Sequence, residues 1–430
     1  MKKAACFILL LCLAAPGRAA DGPRHLTLRE AEDIALAQHP RLSVASLLAL
    51  AAQQSVKESR AAFFPNIYAS ATAVGVADTN NTRLAAGYLN NPNVFERQAE
   101  GLTIEQLITD FGRTLELTRT ARFRSKAEEM NREATREEIL LEVNASYFGV
   151  LRAQAILAAA RQTENERGVV LSQTQALANT AKTKSELDVS FASVDLDQAR
   201  LLVAKADNDL QSAFANLSTV LGERMPESFL LAEEPLPELV TNSAPDLIVE
   251  ALANRPDLAR IRYQRDAAKQ FALSEKKLSY PTLSAVATGG LTPLGDSRLG
   301  DNYAAAGVNL NFPLFTGGLY QARRREAELR ADAADQSVRD QEDRIARDTQ
   351  ISKLNLDYGF GLLAQTARLL QNANQALELA QTRYRNSLSS IVELSQAELN
   401  QTNAQIEEAS ARYGFHLQRA ALDFQLGRLR

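Results

Sequence analysis

The chain has almost no cysteine and no tryptophan, and its few cysteines lie together at one end. Both of them, Cys6 and Cys12, fall in a short apolar run near the start of the 430 residues. That run follows Lys2 and Lys3 and precedes small residues, which is typical of a cleaved secretory signal ending at Ala19. The exported chain is therefore expected to have no disulfide and no cysteine chemistry. Three leucines precede Cys12 where a lipidated cysteine needs a small residue, so lipidation is not expected.

Histidine is also scarce, and the sequence offers no pattern for metal or cofactor binding. His25, His39 and His416 lack metal-ligand spacing, and no phosphate-binding loop or nucleophile–base pair stands out. We therefore expect no catalytic residue, no metal site and no cofactor. The net charge of −4 does not by itself exclude a class of function. An acidic exported chain is nevertheless a poor candidate for binding nucleic acid.

Long apolar runs are missing beyond the signal, whereas long segments without proline are present. No later stretch of 18 apolar residues could span a bilayer, so membrane residence would have to come through β-strands. Proline is absent between Pro92 and Pro226 and again after Pro313. These gaps carry helical patterning that predicts two helices of roughly 100 Å, each followed by a shorter returning helix. The four predicted helices span residues 113–179, 185–221, 319–384 and 390–426.

The chain repeats itself at long range. The segment Ala35–Leu42 returns 216 residues later as Ala251–Leu258, and Leu221-Gly222 returns 205 residues later as Leu426-Gly427. A period this long indicates a duplicated half-molecule with pseudo-twofold character, not a short solenoid repeat.

Each half contains one predicted β-hairpin, because polar and apolar residues alternate with a period of two. The polar positions Thr103 and Glu105, and Asn309 and Asn311, are predicted to face inward and line a wet lumen. Two hairpins give only four strands, which cannot close a barrel with a lumen. Three copies would give twelve, so trimerisation is inferred from the strand count.

These patterns divide the chain into a signal, two repeats and a proline-rich linker. The fold class is mainly α with a β-barrel contribution, in duplicated halves. The predicted segments are 1–19 (signal peptide), 20–64 (helices of repeat 1), 65–110 (hairpin 1), 111–222 (long helical hairpin 1), 223–245 (linker), 246–280 (helices of repeat 2), 281–314 (hairpin 2) and 315–430 (long helical hairpin 2).

Several short motifs resemble those of a known family. Leu26–Leu28, His39-Pro40 and Phe64–Asn66 resemble the opening of TolC-like outer-membrane efflux proteins. Arg255–Leu258 and Phe312–Gly318 look like the second-half signatures of that family. The resemblance covers essentially the whole exported chain. It implies a homotrimer with a twelve-stranded β-barrel in the outer membrane and an α-helical barrel across the periplasm. It also implies a periplasmic adaptor and an inner-membrane transporter as partners, in a tripartite efflux pump or type I secretion.

The two helical turnarounds are the candidate functional site. Ser185, Glu186 and Asp188 occupy places equivalent to Ser390 and Glu393. One interpretation is a pair of capping boxes, in which each serine and acid satisfy backbone N–H groups. The other is a ring of carboxylates at a periplasmic mouth that favours cations. The two interpretations are compatible.

Family members often carry a tyrosine near the second tip and a glycine at each turn. Tyr384 fits this pattern, and we predict that it ties neighbouring helices together. Lys182 and Ser387 stand in place of glycine, and Gln396 stands where some members have a second acid. We hypothesise that the duct opens by separation of the tips at about Lys182 and Ser387.

Two competing functions remain open from the sequence. A periplasmic coiled-coil adaptor would bind partners without forming a channel, and an envelope spacer would lack a lumen. The apolar hairpin faces argue against the first, and the polar inward faces argue against the second. The sequence does not name a cargo.

Overall fold

The computed structural model describes residues 24–74, 85–86, 89–90, 97–181, 185–223, 229–294, 301–386 and 388–429. The chain divides into two compact units. The first is built from residues up to His39, Glu142–Leu239 and Tyr358–Arg419. The second is built from Pro40–Leu141, Val240–Asp357 and the residues from Ala420 onward. The predicted signal and the turn residues Lys182 and Ser387 lie outside the described residues.

The helices follow the predicted pattern closely. Each half supplies a short helix, a medium helix, a very long helix and a returning helix of 35 residues. In the first half these are α1 (Leu28–Gln38), α2 (Pro40–Ala61), α3 (Arg113–Ala176, followed by a π-helical turn, Leu177–Ala181) and α4 (Glu186–Val220). In the second half they are α5 (Ala244–Asn254), α6 (Pro256–Lys276, with a 3₁₀ turn, Lys277–Ser279), α7 (Leu319–Arg385) and α8 (Ile391–Gln425).

The two predicted hairpins form one antiparallel sheet in the second unit. Its strands are β2 (Asn66–Val74), β5 (Arg97–Thr109), β7 (Thr282–Leu294) and β8 (Asn302–Asn311). The strand order is β2-β5-β7-β8, so the two hairpins pair through β5 and β7. A two-residue pair, β3 (Ala85–Ala86) and β4 (Leu89–Asn90), lies within the first hairpin connection.

The first unit contains a parallel strand pair that the sequence did not predict. Strand β1 (Arg24–Leu26) pairs with β6 (Phe229–Leu231), which lies inside the predicted linker. The hydroxyl of buried Tyr147 lies 3.0 Å from the carbonyl oxygen of Leu26 and 2.7 Å from that of Ala232. Desolvation raises the pKa of Tyr147 to about 12, so this hydroxyl keeps its proton at neutral pH. The linker is therefore held to the helices.

The duplication is visible at the helix ends. The helices α1 and α5 both have 11 residues, and each is followed by a residue with φ −66° and ψ 122°. A glycine with positive φ ends each returning helix, at Gly222 (83°) and Gly427 (65°). A Cβ on Gly222 would lie 3.1 Å from the carbonyl oxygen of Gln38, and one on Gly427 would lie 3.0 Å from that of Asn254. The same glycine-to-helix-end contact therefore occurs once in each unit.

No single helix among the described residues is both long and apolar enough to cross a membrane. One bent pair, Leu28–Gln38 with Pro40–Ala61, meets the criterion together on length and composition alone.

Substitution of Gly222, which lies against the end of α1, should destabilise the fold. Gly222→Ala places a side chain at positive φ against the Gln38 carbonyl, and such backbone strain costs about 1–3 kcal/mol. The matched control is Gly149→Ala, inside α3, where an added Cβ meets nothing within 4 Å. The control should be neutral or stabilising by about 0.5–1 kcal/mol. Thermal unfolding in detergent, followed by circular dichroism, checks both, and an unchanged midpoint for Gly222→Ala would contradict this account.

Candidate functional site

The first helical turnaround contains the predicted capping box. Ser185 is the N-cap of α4, and its Oγ accepts from the backbone N–H of Asp188 at 3.2 Å. The Asp188 carboxylate accepts in return from the Ser185 backbone N–H at 2.9 Å. Glu186 is exposed in the same first turn. Two carboxylates therefore lie at the N-terminal end of α4, where the helix dipole stabilises negative charge.

The second turnaround contains only half of a capping box, so that prediction was wrong in part. The backbone N–H of Glu393 donates to Ser390 Oγ at 3.3 Å. The Glu393 carboxylate instead forms an ion pair with Arg383, whose Nε lies 3.1 Å from Glu393 Oε1. The cation of α7 competes for the carboxylate because a charged partner is stronger than a neutral N–H donor. A ring of Glu393 carboxylates would thus carry a compensating arginine on each copy.

Tyr384 links two long helices, as a tie between neighbouring helices requires. Its buried hydroxyl lies 3.0 Å from the hydroxyl of Thr174, so α7 is joined to α3. Apolar side chains surround the pair, including Ile391, Leu394 and Val170. Desolvation raises the pKa of Tyr384, so the hydroxyl stays protonated and available as a donor. The hydrogen bond fixes the end of α7 one turn before the chain reverses.

Gln396, another predicted tip residue, does not join this cluster. Gln396 is exposed and donates to Asn400 on its own helix at 3.0 Å. Lys182 and Ser387 are outside the described residues, so their predicted place at the turns remains a prediction.

The four predicted inward residues share one face of the sheet. Glu105 is opposite Val286, which is opposite Gly307, and Asn309 and Asn311 follow Gly307 at intervals of two. Thr103 lies two residues from Glu105, and its hydroxyl is 3.1 Å from that of Thr288. Alternation along a strand therefore puts all four on the same side.

The opposite face of the sheet is apolar and open. Its large side chains come from all four strands and are exposed in the single chain, apart from the half-buried Leu283. The exposed ones are Ile67, Leu102, Ile104, Leu291, Val308 and Leu310. The sheet is therefore amphipathic, with polar and apolar sides.

A buried ion pair near the turnarounds was missed in the sequence. The Arg167 and Glu398 side chains are only 6% and 3% exposed, with Nε 3.8 Å from Oε2. Arg167 also donates to the carbonyl oxygen of Asp195 at 2.7 Å, so the pair connects α3, α4 and α8. A signal was available, since both charges fall on the apolar period of their helices.

Glu398 is poorly compensated in this position. Desolvation raises its pKa to about 7, against the lowering effect of Arg167, and the nearby carboxylates of Asp195 and Glu166 raise it further. One of its oxygens and Arg167 Nε have no hydrogen-bond partner among the described residues. A carboxylate in such a site is costly to ionise.

The described parts of the turnarounds thus hold fixed charges and hydrogen bonds. Within the described ranges there is no group of three or more histidine, cysteine or acidic side chains that could hold a metal ion. The arrangement sets the local charge at the helix ends and how firmly those ends are held together.

Comparison with known proteins places both halves of the chain in one family. Residues 32–223 and 247–428 match the family described as Outer membrane efflux protein. The chain is similar to the outer membrane protein TolC of Vibrio cholerae, with 24% identity over 402 residues that cover 89% of this chain and 87% of the relative. It is also similar to the cobalt-zinc-cadmium resistance protein CzcC of Cupriavidus metallidurans, with 30% identity over 194 residues, 44% of each chain.

Solved structures share the fold. The outer membrane protein VceC of Vibrio cholerae superposes with a TM-score of 0.79 at 20% identity, covering 93% of this chain and 96% of that one. The fold is therefore that of the channels that combine an α-barrel with a β-barrel.

Glu398 should make stability depend on pH. Its folded pKa of about 7 lies above the ordinary value of 4.5, so the native state binds this proton more tightly than the unfolded chain. The stability from this group is complete below about pH 4.5 and is lost as pH rises through about 7. The change is on the order of 3 kcal/mol. Glu398→Gln should remove this component from the pH profile of thermal unfolding.

The matched control is Glu407→Gln, at an exposed position on the same helix. Its unfolding midpoint should follow the wild-type pH profile. A Glu398→Gln profile parallel to the wild type between pH 5 and pH 8 would refute the assignment.

Proposed function

Because this chain belongs to the outer membrane efflux protein family, it serves as an outer-membrane exit duct, and we propose that three copies form that duct. The chain carries out no chemistry under this proposal, and transport energy comes from the partner pump. The adaptor and spacer alternatives do not fit a member of this family.

The open edges of the sheet support a trimer. In the order β2-β5-β7-β8, one side of β2 and one side of β8 have no strand beside them within the described part of the chain. In lipid, every backbone N–H and C=O needs a partner, so an open edge there is costly. Pairing of β8 with β2 of the next copy closes twelve strands in three copies. This edge geometry is the observation that carries the proposal.

The amphipathic sheet sets the direction of the lumen. The apolar face, with Ile67, Leu102 and Leu310, suits lipid tails, whereas the face with Thr103, Glu105, Asn309 and Asn311 suits water. A closed barrel of this kind would be wet inside.

The tips would form the periplasmic mouth of the duct. Each copy would contribute Glu186, Asp188 and Glu393, with Arg383 set against the last of these. The ion preference at this mouth therefore depends on the balance between Glu393 and Arg383. Removal of the Glu393 charge should weaken the preference for cations, and removal of the Arg383 charge should strengthen it.

The partners would be a periplasmic adaptor and an inner-membrane transporter, as in tripartite pumps. The cargo is left open, because the relatives differ in what their names state. One is named for cobalt, zinc and cadmium resistance, and others for solvent and toluene efflux. A wide, wet lumen would not need to recognise any one of these.

Single-channel recording of the detergent-purified protein in a planar bilayer tests the duct and its mouth. Glu393→Gln should lower the cation-to-anion permeability ratio by about two- to threefold, because exposed charges act with less than about 1 kcal/mol. Arg383→Gln should raise the ratio by a similar factor. Glu326→Gln, which removes an equivalent paired acid from α7 far from the tip, is the control and should leave it unchanged.

The absence of any stable current from the wild-type protein would contradict the proposed duct. Stable current with equal cation-to-anion permeability ratios in all three variants would support the duct and contradict the charged mouth.

Opening at the tips is tested separately, on the hypothesis that the turns separate. A disulfide between cysteines introduced as Lys182→Cys and Ser387→Cys should lower the open probability until it is reduced. Tyr384→Phe should raise the open probability about fivefold, because it removes a hydrogen bond worth about 1 kcal/mol. Tyr358→Phe, at an exposed position of the same helix, is the control. Equal currents with the disulfide intact and reduced would contradict opening at the tips.

A further inference from the structure

Exposed aromatic residues mark the ends of the strands where the chain passes into helices. Phe64 precedes β2 and is 67% exposed, Tyr280 precedes β7, and Phe111 follows β5. Phe315, which follows β8, is 90% exposed. Aromatic side chains at this level are typical of the boundary between lipid tails and water.

Exposed basic residues lie just beyond this boundary on the helical side. We define the basic collar as Lys57, Arg60, Lys276, Arg324 and Arg325, all of them exposed. They come from the end of α2, the end of α6 and the start of α7.

Other basic residues at the same level form ion pairs with buried acids. Arg323 donates to the buried carboxylate of Glu275 at 2.7 Å, and Lys277 pairs with the buried Glu116 at 3.0 Å. These internal pairs fix the end of α6 against the starts of α7 and α3. The collar residues are therefore displayed from a rigid base.

The collar also carries a surplus of positive charge. Apart from the buried Glu275, the acids within three residues of the collar along the chain are Glu58, Glu326 and Glu328. Glu328 is shared by Arg324 at 2.8 Å and Arg325 at 3.5 Å. Five basic side chains face three acidic ones, in a chain whose net charge is −4. Positive charge is thus concentrated at one level of an otherwise acidic protein.

The depth of the collar matches that of lipid phosphates. Arg60 and Lys57 precede Phe63 by three and six residues, and Lys276 precedes Tyr280 by four, which gives about 5–9 Å along a helix. The headgroup layer on one side of a bilayer is about 5–7 Å thick. Guanidinium and ammonium groups at this depth can reach phosphate oxygens.

We infer that the basic collar binds anionic phospholipids in the periplasmic leaflet of the outer membrane. The aromatic residues position the boundary. Arg324 and Arg325 lie five and six residues after the start of α7, about 8–9 Å along the helix, and supply two adjacent charges. The inference rests on the membrane placement of the strands in the proposed function. It adds the lipid class that this surface selects.

Thermal unfolding of the detergent-purified full protein, in dodecyl maltoside micelles containing phosphatidylglycerol or phosphatidylcholine, tests the inference. Phosphatidylglycerol should raise the unfolding midpoint, and phosphatidylcholine should not. In the double variant Arg324→Gln with Arg325→Gln, the phosphatidylglycerol fraction needed for half the shift should rise on the order of tenfold. Inorganic phosphate at matched concentration should give no shift, which separates lipid from free anion.

The control is Arg344→Gln with Arg347→Gln on the same helix, which removes two exposed arginines that also pair with nearby acids. This variant should respond to phosphatidylglycerol like the wild type. Equal responses to the two lipids, a full shift with phosphate alone, or equal loss in both double variants would overturn the inference. A normal wild-type channel current in that case would show that the duct stands while the lipid site fails.

Discussion

Backbone hydrogen bonding in lipid is the constraint on which the rest of this structure depends. Lipid tails offer no partner to an N–H or C=O group, so the strands must satisfy one another. Four strands in the order β2-β5-β7-β8 satisfy the inner strands and leave the outer edges open. The proposed trimer and the closed lumen follow from closing those edges, and the polar face with Glu105 and Asn309 then turns toward that lumen. The long helices then continue from strands whose positions are already fixed.

Local signals in the sequence predicted most of the elements. Thr27 and Glu30 have the spacing of a capping box and form one at the start of α1, and the period-two segments became strands. The pairing of β1 with β6 was not predictable in this way. Three-residue strands carry too little periodicity, and their stability comes from contacts between distant segments, such as Tyr147 with Leu26 and Ala232.

The turnarounds show the same division between local and distant information. The Ser185 capping box lies within four residues and could be predicted from spacing alone. The bond between Tyr384 and Thr174 joins residues 210 apart, so the sequence supplied one partner without the other. The pairing of Arg383 with Glu393 was missed for a similar reason. Glu393 can accept from the Ser390 N–H or pair with a cation, and the choice depends on how the preceding helix places Arg383.

The two turnarounds of one chain are related by duplication but are not alike. One has a complete capping box, and the other has half of one together with an arginine–glutamate pair. In a closed assembly of three copies, six hairpin ends would alternate between these two kinds around the ring. Its symmetry would be threefold and never sixfold. A binding protein that touches every hairpin end would have to recognise two different surfaces, either with two conformations of one subunit or with two separate faces.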